Sequence, residues 1–260
     1  MHGEYIKHIP GAKTAILFIH GICGTPDHFR NLIPLQERIP NDWSVHNILL
    51  HGHGGTAADF AASSAEEWRK QIYEVFVNLA NTHQRVLIVG HSMGSLFAIQ
   101  LAARYPKKVD KLFLLAVPMR PWLKPAMIVD LFRLVFGKLD PTDSRKSALA
   151  RAAGIQTTAK LWEYIPWVPR FLELFLEIYR TEQILMDVNA TCHCYQSHND
   201  ELVLRCSEKV LLKNKQMHVY QLQDSSHFYY SPADRECILD DFQKWFLINE
   251  SPILQKEAQL

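Results

Sequence analysis

Arg85-Val86-Leu87-Ile88-Val89-Gly90-His91-Ser92-Met93-Gly94, residues 85–94, is the stretch that decides the fold. It begins as a short apolar run rich in β-branched residues, the mark of a buried strand. The run that follows, Ser95 to Tyr105, reads as a helix. A serine with glycine at both second neighbours, set between strand and helix, has the form of a nucleophile elbow. Such a turn brings the backbone close to itself. Glycine at 90 and 94 removes the Cβ atoms that would collide. Ser92 is then lifted off the sheet with its hydroxyl exposed. The Met93 N–H faces the helix start, where developing negative charge on oxygen is favoured.

Outward from this turn, apolar runs and alternation predict strands at 4–9, 14–20, 44–50, 85–90, 111–117, 190–197 and 218–223. Helical patterns fall at 27–38, 64–82, 94–104, 202–213 and 231–247. Strands alternating with helices imply an α/β fold, a mostly parallel central sheet with helices on both faces. One connection is too long for a simple crossover. Residues 118–189 stand where ~10–15 helical residues would suffice. They hold Pro118, Pro121, Pro125, Pro141, Pro166 and Pro169 among several helical stretches.

A serine hydroxyl needs a base to take its proton, and the base needs a carboxylate to fix its tautomer. Two histidine groups follow Ser92: His193 with His198, then His218 with His227. Asp200 falls just past the end of the 190–197 strand, where open α/β sheets keep their catalytic groups. His227 falls in the loop after the last strand, just before a helix opened by Ser231-Pro232. Ser92 is assigned as nucleophile, His227 as base and then acid, and Asp200 as the orienting carboxylate. Glu201 is the rival, since one residue of slip exchanges the two. Asp224 reads as a turn residue.

Six segments, HGICGTP (20–26), HGHGG (51–55), SSAEEW (63–68), GHSMG (90–94), HNDELV (198–203) and SSHF (225–228), stand in one order along the chain. In them the chain resembles the α/β-hydrolase superfamily, and within it the serine carboxylesterase and monoacylglycerol-lipase group. The resemblance implies an α/β-hydrolase fold and ester hydrolysis through an acyl-enzyme, and it favours Asp200 over Glu201. It also implies that the His20-Gly21 loop supplies a second oxyanion donor, the Ile22 N–H, beside that of Met93. A helical cap inserted in the core would occupy 118–187, with the core formed by 1–117 and 188–260.

The cap carries two apolar groups. One is Trp122, Leu131, Phe132, Leu134, Val135 and Phe136. The other runs through 161–176, from Leu161 and Trp162 to Phe175 and Leu176. A cap must pack on the body and roof a pocket, so some of these should meet an apolar acyl group. His51, His91, Trp122 and Trp162 are the substrate-wall candidates. The same surface docking on a membrane is the weaker alternative.

His51 and His53 lack an evident third ligand for a catalytic zinc. Alternation puts Cys192 and Cys194 on one strand face and His193 on the other. No metal and no cofactor are therefore expected. The formal net charge is +1 and no basic run interleaves with aromatics, which excludes a nucleic-acid binder. Five cysteines at irregular spacing argue for reduced thiols. Met1 to Lys7 lacks an apolar leader core, and no run approaches the ~18 residues of a membrane span. A cytoplasmic enzyme acting on a small apolar acyl ester of short to medium chain is the expectation. Long-chain monoacylglycerol or lysophospholipid hydrolysis, thioester, amide or C–C cleavage, and a non-catalytic binder on the same fold are the alternatives. Oligomeric state is not legible.

Overall fold

In the computed structural model, which describes residues 3–248, every predicted strand forms. They are β1 (Tyr5–Lys7), β2 (Thr14–Ile19), β3 (Ser44–Ile48), β4 (Arg85–His91), β5 (Val109–Leu115), β6 (Thr191–Ser197) and β7 (Met217–Leu222). Met1 and His2, and the 249–260 end of the expected core, lie outside the described residues. The sheet order is β1-β3-β2-β4-β5-β6-β7. Within this sheet, among the described residues, only the β1–β3 pairing is antiparallel. This is the mostly parallel α/β sheet expected from the alternation.

The central strands β2, β4 and β5 are buried along their whole length. Layers on both sheet faces require this, and the unbroken apolar runs supply it. One face packs Leu17, Ile19, Ile88 and Leu114 under α2 (Ala65–Thr82) and α3 (Met93–Arg104). The other packs Phe18, Val89 and Phe113 against Phe29 and Phe242. Ile19 lies level with Gly90, Leu115 with Tyr195, and Ser197 with Leu222. The loops after β2, β4, β6 and β7 therefore leave the sheet along one edge.

Two helix expectations fail for local reasons. The 27–38 helix is broken into a π-turn at His28–Leu32 and a 3₁₀ turn at Gln36–Arg38. Pro34 lacks an N–H and pushes Ile33 into extended backbone, φ −137°. The 202–213 helix shrinks to α7 (Ser207–Leu211). Asp200 Oδ1 accepts the N–H groups of Leu202 and Val203, and Leu202 O accepts from Trp122, so this backbone is committed elsewhere. An unpredicted helix, α1 (Ala57–Ala62), opens on a capping box between Thr56 and Asp59.

The long β5–β6 connection holds α4 (Pro125–Val135), α5 (Ser144–Ala152), a 3₁₀ turn (Leu161–Trp167) and α6 (Val168–Ile184). The last part of α6 packs into the body. Glu177 is fully buried and accepts from Arg69 of α2, Gln100 of α3 and Arg180. α4 contrasts with it, since Met127 is its one buried residue. No helix among the described residues is long and apolar enough to cross a membrane.

Several histidines are buried within the body. Burial pulls His28 down to about 3 and His53 down to about 4. Both are neutral in the fold, while the unfolded chain takes up a proton near pH ~6.5. Between those limits the unfolded state binds more protons, so stability falls as pH drops. At pH 5 the loss is about 2 kcal/mol for each. Urea unfolding at pH 7 and pH 5 should show that drop, and His53→Phe should reduce it by about 2 kcal/mol. An unchanged midpoint at pH 5 would contradict it.

Candidate active site

Ser92 sits between β4 and α3 at φ 51°, ψ −123°, a left-handed conformation rare for a residue with a side chain. Strain of this kind costs ~1–3 kcal/mol and persists only where surroundings hold it. Here the holder is α3, which buries Met93, Leu96, Phe97 and Ile99. Each such side chain contributes ~1.5–3 kcal/mol, enough to offset the strain. Glycine is required on both sides. A Cβ at 90 would stand 2.6 Å from Ser95 Cα, and one at 94 would overlap the Ile19 carbonyl. Met93 is the first residue of α3, where N–H groups have no intrahelical acceptor.

His227 lies in the loop after β7 and is 2% exposed. Its Nδ1–H donates to Asp200, at 3.0 Å to Oδ1 and 2.9 Å to Oδ2. Asp200 is itself buried in the loop after β6. Glu201 meets the same histidine differently, accepting its backbone N–H at 3.0 Å. Asp224 is a turn residue whose carbonyl accepts from Arg145. The His227 carbonyl accepts from His91 Nε2 at 3.1 Å. Backbone N–H, carbonyl and Nδ1 are thus all engaged, which leaves Nε2 as the ring atom for proton transfer. Among the described residues none hydrogen-bonds Ser92 Oγ, a contact that in hydrolases often tightens only with substrate.

The loop after β2 runs beside the elbow. His20 donates from Nδ1 to Gly21 O at 2.8 Å and accepts the Leu50 N–H at Nε2, 3.1 Å away. Ile22 follows, then Cys23 at φ 57°. Burial pushes the Cys23 thiol up to about 12, so it stays protonated. Cys23 O accepts the Gly154 N–H at 2.8 Å, and Gly154 O accepts from Gly54 at 2.6 Å. The β5–β6 connection therefore ties both glycine-rich loops together. No motif in the sequence marks Gly154 for this.

The substrate-wall candidates scatter. His51 is exposed, while its carbonyl accepts from Trp68 Nε1 and His53 Nδ1. Trp122 and Trp162 are 55% and 65% exposed. His91 is buried, donates to the His227 carbonyl and stacks on the ring of His28. Cys192 and Cys194 are core residues, and His193 bonds Asp241 and stacks on Trp245. A cleft of about 650 Å³ opens beside Phe228, Tyr229 and Tyr230, and Ser92 and Asp200 are not among its walls.

The family model described as alpha/beta hydrolase fold matches residues 14–176. The pimeloyl-[acyl-carrier protein] methyl ester esterase of Neisseria meningitidis serogroup C is 33% identical over 112 residues. That match covers 42% of this chain and 39% of the esterase. Solved structures share the fold over nearly the whole length. One, from work on the metagenome-derived lipolytic enzymes LipS and LipT, has a TM-score of 0.67 at 21% identity, covering 92% of this chain and 94% of the other. The monoacylglycerol lipase of Paleococcus ferrophilus has a TM-score of 0.63 at 15% identity, covering 93% and 98%.

Proposed function

The chain belongs to the alpha/beta hydrolase fold family, and on that premise we propose that it hydrolyses carboxylic esters through Ser92, His227 and Asp200. The observation that carries the reading is the strained Ser92 turn at the head of α3, on the same sheet edge as a buried Asp200–His227 pair. Strained backbone collects at catalytic positions because function is what maintains it. Ser92 Oγ attacks the ester carbonyl while His227 Nε2 takes its proton. The N–H groups of Ile22 and Met93 hold the oxyanion. His227 returns the proton to the leaving alcohol, then takes one from the water that attacks the acyl-enzyme and passes it to Ser92 Oγ as the carboxylic acid leaves. Asp200 keeps Nδ1 protonated throughout, so Nε2 begins as the acceptor.

The acyl group we assign is apolar and short to medium, roofed by the 118–187 cap. The thiols of Cys23, Cys192, Cys194, Cys206 and Cys237 are all free, which suits a reducing, cytoplasmic setting. One observation favours the long-chain reading: Ile128, Val129, Leu131, Phe132 and Phe136, along α4 and just past its end, are exposed apolar residues. Hydrolysis of p-nitrophenyl esters across a chain-length series separates the two. A maximum at short to medium chains is expected. A maximum at long chains moves the assignment to a monoacylglycerol lipase or lysophospholipase. No turnover at any length, with Ser92 unlabelled by a fluorophosphonate, refutes the hydrolase reading.

A further inference from the structure

His91, the residue before the nucleophile, makes a contact that the proposed reaction does not use. Its Nε2 lies 3.1 Å from the carbonyl oxygen of His227. A carbonyl only accepts, so His91 carries its proton on Nε2. The ring of His28 stacks on it, with centroids 3.7 Å apart and planes at 27°. His28 Nε2 in turn meets Tyr230 Oη at 3.1 Å. Tyr230 is three residues beyond His227. The contacts close a ring: His227 carbonyl, His91, His28, Tyr230, and back along the chain to His227. The loop that carries the proposed base is gripped at two points, and one grip belongs to the elbow itself.

We propose that His91, backed by His28 and Tyr230, is a positioning residue that sets the distance between the nucleophile and the base. The proposal rests on the reading of His227 as that base. The physical case is mechanical. Asp200 fixes which way the imidazole turns, and Glu201 holds the backbone N–H, but neither element carries Ser92. The His91–His227 bond is the direct tie between the turn that presents Ser92 and the loop that presents the base. Burial keeps His91 and His28 neutral across the working range. The stacked pair therefore avoids the repulsion of two imidazolium rings. Burial also raises the Tyr230 phenol, so it stays a hydroxyl that can bond His28. The titratable groups facing this ring of contacts are Asp200 and Glu201 after β6, His20 and His28 after β2, His227 itself, and Tyr230 beyond it.

Three variants test it: His91→Leu, His91→Gln and Tyr230→Phe. The glutamine amide nitrogen reaches about as far as Nε2 and can donate to the same carbonyl. With p-nitrophenyl butyrate as probe, His91→Leu should lower kcat by about 10- to 100-fold, the cost of misplacing a reacting group by ~1 Å. KM should move little. His91→Gln should recover most of that loss, and Tyr230→Phe should fall between. The inference is overturned if His91→Leu folds with wild-type kcat. It is also overturned if the leucine and glutamine variants lose activity equally and in step with melting temperature. The far-downfield proton signal of the Asp200–His227 pair gives a readout without turnover. It should weaken or broaden in His91→Leu and persist in His91→Gln. An inactive wild type that keeps this signal would refute the ester-hydrolase reading, and the signal in the variants would still decide the role of His91.

Discussion

Ser92→Ala is expected to lower kcat/KM for p-nitrophenyl esters by at least about three orders of magnitude, since removing a triad nucleophile elsewhere costs ~10⁶ in kcat. The fold should be untouched. Alanine faces the same φ of 51° that serine does, and the Ser92 N–H bond to Leu115 O, 2.9 Å, is made by the backbone. Melting temperature should therefore stay within about 2–4 °C of the wild type, as for any change well below 1 kcal/mol in a chain of this size. Residual turnover would reflect the oxyanion donors and substrate orientation, which the substitution leaves in place. Intact-mass measurement after fluorophosphonate treatment supplies the independent arm. One adduct is expected on the wild type and none on the variant. A loss smaller than tenfold, or an adduct that survives, removes Ser92 from the mechanism.

The sheet was legible in the sequence because its central strands are short continuous apolar runs and its outer ones alternate. Thr14–Ile19 and Arg85–His91 are the plainest cases. Helices were legible only where backbone demand and side-chain pattern agreed. At 27–38 the apolar spacing was helical, but Pro34 had the deciding effect on the backbone. At 202–213 the pattern gave no sign that Asp200 would take the Leu202 and Val203 amides. The converse error was α1, short and weakly apolar, whose one signal was the Thr56-x-x-Asp59 box.

The candidate site divides the same way. Ser92 and His227 stand in local patterns, so their positions followed from the chain alone. Which carboxylate reaches the His227 ring depends on side-chain direction within one turn, so the residues alone kept Glu201 as a rival to the assigned Asp200. His28 and Gly154 carry no motif. His28 reaches His91, and Gly154 reaches Cys23, across long stretches of chain that only the folded sheet edge brings together. His91 was visible as a residue of the elbow, but its direction was not. A buried ring spent on a main-chain carbonyl looks, in sequence, like one facing a substrate.

Asp200→Asn should cost about 10⁴ in kcat, the effect of presenting a base with the wrong tautomer partner. The argument turns on one proton. Asp200 accepts the Nδ1–H of His227 with both oxygens. Its Oδ1 also accepts the Leu202 and Val203 N–H groups, at 2.7 and 2.9 Å. In the asparagine variant the carbonyl oxygen keeps those two backbone bonds, because they hold the turn. The amide NH₂ is then left facing Nδ1 as a donor. His227 responds by carrying its proton on Nε2, where it can no longer accept one from Ser92. The structure of the turn survives while the base is disabled, so KM should change little. Glu201→Gln is the matched control. The Glu201 carboxylate accepts the backbone N–H of His227, and a glutamine oxygen accepts that bond as well, so the loss should stay within about tenfold. Measuring kcat and KM for both variants with the same ester decides between the two carboxylates. A larger loss in Glu201→Gln than in Asp200→Asn would transfer the orienting role to Glu201 and undo the assignment of Asp200.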